Sequence, residues 1–212
     1  MACAICEIRR PRRFCPGVRG DICTLCCGTE REVTVDCPLD CEYLAESRKR
    51  EKRQSLAGKE LPNRDIRVTE KLLQDNQELL DFLSITLVKS ALEAPVVVVD
   101  SDVREALDGL IRTYRTLQSG VYYESMPANP LAAGIFSSVQ NALAEFRREE
   151  PRRLGMTRTR DADILGILVY FQHFEIDRNN GRRRGRAFLH ALRAFYPAVA
   201  GSAEPASSLI LP

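Results

Sequence analysis

At 212 residues, 44% of them hydrophobic, the chain is long enough for one packed domain of ordinary size with a smaller unit beside it. Its formal net charge of +2 is not that of a strongly basic nucleic-acid binder, and eight thiolates holding two Zn²⁺ would lower it to about −2. No apolar run approaches the roughly 20 residues of a membrane helix, and "MACAICEIRRPRR" lacks the apolar stretch of a signal peptide. A cytoplasmic, reducing location is therefore expected, with no membrane partner, and there cysteine pairs more often hold metal than form disulfides.

Residues 1–46 contain all eight cysteines, at 3, 6, 15, 23, 26, 27, 37 and 41. Thiolate is a soft ligand and Zn²⁺ accepts tetrahedral S₄ ligation without electronic preference, so eight cysteines suggest two Zn²⁺ per chain. "CAIC" can form a knuckle with two sulfurs on one metal. "REVTVD" (31–36) alternates like a short strand. In "CPLDC", Pro38 suits a first helical position, with Cys37 near the N-cap and Cys41 one turn later. A module this short cannot build an adequate apolar core, so zinc is expected to act structurally. Adjacent side chains leave the backbone in different directions, so Cys26 and Cys27 are expected to serve different metals.

"CAICEIRRPRRFCPGVRGDICTLCC" resembles the first part of a HIT-type zinc finger, and more loosely other cross-brace fingers such as MYND, over about 25 residues. The likeness rests on the CxxC knuckle, the basic residues before Cys15-Pro16, and Cys23 followed by Cys27. Val18 stands where the family has its fourth cysteine, and "CPLDC" replaces the family's closing His and Cys. The resemblance implies that Cys3, Cys6, Cys23 and Cys27 share one zinc, leaving Cys15, Cys26, Cys37 and Cys41 for a second. A treble-clef alternative pairs Cys3 and Cys6 with Cys37 and Cys41, and puts Cys15, Cys23, Cys26 and Cys27 together. Fingers of this kind mostly serve protein interaction and complex assembly. The resemblance thus implies a non-enzymatic adaptor with a protein partner.

Residues 47–65 read as a charged helix continuing into a linker around Gly58 and Pro62. From residue 66 to 197 the periodicity predicts an all-helical domain of about five helices, so the fold class is mainly α with a small hairpin-plus-helix finger. Thr69 caps a stripe of Leu72, Leu73, Leu79, Leu80, Leu83 and Leu87. "APVVVV" (94–99) favours extended structure without an evident partner. Ser101 or Asp102 caps a second helix carrying Val103, Leu107, Leu110, Tyr114 and Leu117, ended by Gly120. Asn129-Pro130 opens a third, with Pro151 expected to stop it. A fourth, from about 161 to 176, is apolar nearly all round and should be central. A fifth spans roughly 184–196, and residues 198–212 have the composition of a disordered tail.

A second reading makes the protein a nucleic-acid (RNA or DNA) binder through the finger and its arginine-rich loops. Arg9, Arg10, Arg12 and Arg13 flank the first cysteines, and Arg182, Arg183, Arg184 and Arg186 precede the last helix. "RREEPRRLGMTRTR" (147–160) adds to them if the loops converge. No catalytic residues are assigned. His173, Glu175 and Tyr170 lie on an apolar helix, His190 lies on another, and Asp100 and Asp102 are explained by helix capping. "GVYYESMPANP" (120–130) fits either a packed connection or a peptide-binding edge.

Overall fold

The computed structural model describes residues 2–51 and 61–195; the expected linker around Gly58 and the tail from 198 fall outside them. The finger begins with an antiparallel hairpin, β1 (Arg13–Cys15) and β2 (Gly20–Ile22), with Arg13 paired to Ile22 and Cys15 to Gly20. Gly17 in its turn lies against residues 35–36, where a Cβ would stand 2.5 Å from the Asp36 carbonyl oxygen. Two short helices follow, α1 (Thr24–Thr29) and α2 (Glu42–Arg50).

Two local expectations in this region are corrected. Residues 31–36 form a turn closed by a single Arg31–Val35 bridge, because Glu32 adopts a left-handed φ of 54° that ends any extended run. Pro38 is not the first residue of α2: the Cys41 N–H bonds the Pro38 carbonyl in a preceding turn, and Cys41 itself is the N-cap.

The bundle comprises α3 (Glu70–Asp75), α4 (Gln77–Glu93), α5 (Asp100–Gln118), α6 (Pro130–Leu154), α7 (Asp161–Arg178) and α8 (Ala187–Phe195). Thr69 caps α3 as expected, accepting from the Leu72 N–H. The leucine stripe is split in two because Asn76, at φ −119° and ψ 30°, bends the chain between α3 and α4. Pro151 does not end α6, which runs one turn further to Gly155 at φ 75°. A proline removes one backbone donor, and the left-handed glycine stops the helix where the chain must reverse.

Helix α7 is as buried as its composition predicts, and α5 packs along it with its own buried stripe of Val103, Ala106, Leu107 and Leu110. Phe136 of α6, Phe171 of α7 and Phe188 of α8 close the centre. The valine run at 94–99 forms no strand, and only Val98 of it is fully buried. The 120–130 segment is a packed connection at Ser125 and Pro127. The Ser125 N–H donates to the Thr113 hydroxyl, and Val121, Tyr122, Tyr123 and Met126 stay exposed. No helix among the described residues is long and apolar enough to cross a membrane.

The finger touches the bundle through apolar and polar contacts, including the pairs of Arg182 with Glu51 and Arg184 with Asp36. Leu39 joins the bundle's apolar core. Glu32, fully buried, receives Arg48 of α2, the Asn180 amide at 2.8 Å and the Arg186 N–H at 2.9 Å, while its carbonyl accepts from the Arg184 N–H. A carboxylate buried at this depth is held by bonds to its remaining lone pairs, which Asn180 and the Arg186 N–H supply to Glu32.

Candidate metal centre

Cys3, Cys6, Cys23 and Cys26 place their sulfurs within 4.8 Å of one another. Each arrives there for a local reason. The first knuckle turns at Glu7, whose φ of 54° lets its N–H reach the Cys3 carbonyl, and the Ala4 N–H is pinned to the Asp21 carbonyl of β2. The hairpin then delivers Cys23 to the N-cap of α1, where its sulfur accepts from the Cys26 N–H at 3.4 Å. The Cys23 N–H in turn donates to the Cys3 sulfur at 3.2 Å. Capping puts the side chain of residue N3 over the cap, so Cys26 faces the group.

Here the expected partition differs from the structure. The implied first set contained Cys27, but the gathered set contains Cys26 instead, because Cys27 is one residue further round α1, about 100° away. The treble-clef sets are not gathered either, since Cys3 and Cys6 meet Cys23 and Cys26 rather than Cys37 and Cys41. A usable signal was present in the sequence: Cys23-x-x-Cys26 repeats the spacing of Cys3-x-x-Cys6.

The electrostatics of the group ask for a cation. Burial pushes the Cys3 thiol up, but N–H groups of Cys6, Cys23 and Ile5 outweigh it and hold the thiol down to about 6. Cys26 is pushed up to about 12, first by burial and then by its neighbours Cys23, Cys6 and Cys3. Negative charge can thus start to accumulate, but a full set of four thiolates needs a positive ion at its centre. With Zn–S near 2.3 Å, tetrahedral ligation requires sulfurs about 3.8 Å apart. The group therefore reaches ligating geometry by closing in about 1 Å or less.

The other four cysteines do not gather as tightly. Cys37 is buried beside Leu44, with Cys15 and Cys41 packed around the same small cluster. Its thiol is raised to about 11, chiefly by burial, with the charges of Glu32, Cys41 and Cys15 adding to it. Cys27 lies against the first cluster and accepts from Arg31 Nη2 at 3.6 Å.

The basic residues singled out from the sequence divide sharply. Arg9 sits beside Cys6 and Cys23, and those sulfurs hold its guanidinium above the usual range, first through a hydrogen bond to Cys6. Arg13 lies over the Tyr43 ring, 4.0 Å from its centroid, while Arg10, Arg12 and Arg183 are exposed. Arg182, Arg184 and Arg186 turn inward to the finger. Arg182 lies 3.2 Å from Glu51 and donates to the Arg31 carbonyl, Arg184 pairs with Asp36, and Arg186 is buried behind Glu32. Gly185 makes this turn feasible, since a Cβ there would stand 2.5 Å from the Asn180 side-chain oxygen. In the 147–160 segment, Arg147 pairs with Asp161, Arg152 with Glu149 and Arg153 with Glu78.

His173 and Glu175 are likewise committed to structural partners. His173 Nε2 is 2.7 Å from the Pro62 carbonyl oxygen. Glu175, fully buried, takes a bidentate pair from Arg104 at 2.6 and 2.9 Å. Tyr170 stacks on Phe174, with ring centroids 6.0 Å apart. Neither Ser101 nor Asp102 is the N-cap of α5 as expected; the helix starts at Asp100, with Val99 as its N-cap. Asp102, in the first turn, accepts from the Val99 N–H, and Asp100 accepts from the Phe188 and Leu189 N–H groups at the start of α8. Set beside family models, curated proteins and solved structures, the chain matches none of them.

Proposed function

We propose that this protein is a non-enzymatic, intracellular zinc-finger adaptor of HIT-like or cross-brace type, whose metal is structural. The gathered group of Cys3, Cys6, Cys23 and Cys26 carries this reading. It has only sulfur donors, it fills its own corner of the finger, and no fourth position is open to a water or substrate, as a catalytic zinc requires. Cys15, Cys27, Cys37 and Cys41 supply a second zinc, with Cys27 taking the place first expected of Cys26.

The adaptor role is supported by what the finger leaves uncovered. Ile8 is 85% exposed, Phe14 60% and Leu25 51%, on a module with few apolar side chains to spend on solvent. Aromatic and aliphatic anchors of this kind carry most of the energy in protein interfaces. The pairing of Arg182 and Arg184 with Glu51 and Asp36 leaves fewer free cations on this loop and so favours the adaptor reading over the nucleic-acid one.

Two measurements test the proposal. Elemental analysis of the purified protein should give two zincs per chain, and one zinc with four freely alkylated thiols would remove the second site. Affinity capture with the wild-type chain should yield a stoichiometric protein partner that is lost with Phe14→Ala and Ile8→Ala together. Capture of the same partner by the double variant would place the interface elsewhere.

A further inference from the structure

A cavity of about 680 Å³ opens between α2 of the finger and the α7–α8 end of the bundle. That volume is in the range of small-molecule sites. Buried polar atoms are almost always hydrogen-bonded, and those that are not call for a bound group to explain them. Three of the residues lining this cavity carry such atoms. Arg48, with its side chain 9% exposed, gives one nitrogen to Glu32 but leaves Nε and Nη1 without a hydrogen-bond partner. Arg178 Nε stands 3.2 Å from Asp177 in a geometry that makes no hydrogen bond. Glu51 Oε1 is in the same condition opposite Arg182.

The charge around the cavity is unbalanced. Arg48, Lys49, Arg178 and Arg182 face it against Glu51 and Asp177, and the balance stays positive when Glu32, buried behind Arg48, is counted. Its α8 side is largely apolar: Ala187, Ala191 and Ala194 line it, His190 is the one polar side chain among them, and Phe195 is exposed. Unused guanidinium donors on two separate elements suit an anion with several acceptor oxygens, and phosphate provides them. The alanine wall and Phe195 suit a flat, weakly polar group on the same molecule.

We propose that this cavity binds a small organic phosphate, with the phosphoryl group between Arg48 and Arg178 and a planar moiety against α8 and Phe195. A ligand there bridges finger and bundle. None of the cysteines lines the site, so the phosphate is held by residues other than the expected zinc ligands.

Isothermal titration of the full zinc-loaded chain with AMP as probe tests the site. Saturable binding is expected, with adenosine and inorganic phosphate each weaker by at least about tenfold, the loss typical of one missing charged contact. Arg178→Gln should weaken AMP by about tenfold or more, and Ala191→Trp, which fills the cavity, should abolish binding. Unchanged circular dichroism of both variants establishes that the fold is intact, and Arg178→Gln alone decides the matter if Ala191→Trp fails to fold. The proposal is overturned if AMP does not bind, if inorganic phosphate binds as tightly as AMP, or if AMP affinity is unchanged in Arg178→Gln.

Discussion

The bundle closes around Leu83, Leu107, Phe136, Phe171 and their neighbours, whereas the finger buries little more than Ile22, Val35 and Leu44 besides its cysteines. One region excludes water from a continuous apolar core. The other has too little apolar area for its length and gathers sulfur instead. Stability in the bundle is consequently spread over many side chains, each partly replaceable, while on the metal-centre reading proposed above it rests in the finger on a few cysteines that are not. The two regions meet at Leu39 and Glu32, so neither loss stays wholly private.

The sharpest way to break this contrast is to remove the metal. Structural zinc contributes about 10–16 kcal/mol to small zinc modules, so chelation should unfold the finger and leave most of the helical signal in circular dichroism. Cys26→Ser should do the same and lose the zinc of the gathered group, while Cys27→Ser should keep it. Each variant should lose one zinc of two, so the sites are told apart by which thiols become open to alkylation, and exposure of Cys3, Cys6 and Cys23 in Cys27→Ser would refute the gathered set. In the bundle, Phe171→Ala should cost about 3–5 kcal/mol in denaturant unfolding without changing zinc content.

The joint between the regions is tested by Glu32→Gln, which leaves the Arg48 guanidinium buried without its carboxylate and removes the charge facing the Arg186 N–H. A loss of about 3–5 kcal/mol is expected, because the buried Arg48 guanidinium is left without its counter-charge, together with easier zinc removal, because the carboxylate that accepts from Asn180 and Arg186 across the joint is weakened.

A finer test is the pH dependence of Asp100. Burial raises its carboxyl to about 7, although the Phe188 and Leu189 N–H groups pull it down. A carboxyl raised on folding holds a proton that the unfolded chain, at about 3.9, has released. The unfolded state then binds fewer protons, so this group's contribution falls as pH rises from about 4 to 7 and is level beyond. The difference in urea midpoint between wild type and Asp100→Asn should therefore change across that window, and a constant difference would contradict the shift. The smallest effect belongs to Thr69→Ala, which removes the cap of α3 and should cost about 1 kcal/mol.

What could be read from sequence follows the same division. The stripe from Val103 to Leu117 and the Asn129-Pro130 start of α6 depend on local periodicity and capping, and both are found where expected. The finger was legible in ligand type and count, but not in pairing. Cys26 and Cys27 differ only in azimuth on a helix of six residues, and that helix was not foreseen. Glu32 was read as part of a strand because its left-handed backbone is set by partners up to 154 residues away. The same distance hid the fate of Arg182 and Arg184, whose acidic partners belong to another region of the chain.

That separation also has a consequence for synthesis. Glu32 leaves the ribosome well before Arg186, whose N–H bonds its carboxylate. At about 5–20 residues per second the interval is roughly 10–30 s. For that time the finger can hold metal but has nothing to dock on, and its buried carboxylate faces water. The finger is thus completed only after a later part of the chain is made, and a metal held by its gathered sulfurs would keep it shaped until that anchor arrives.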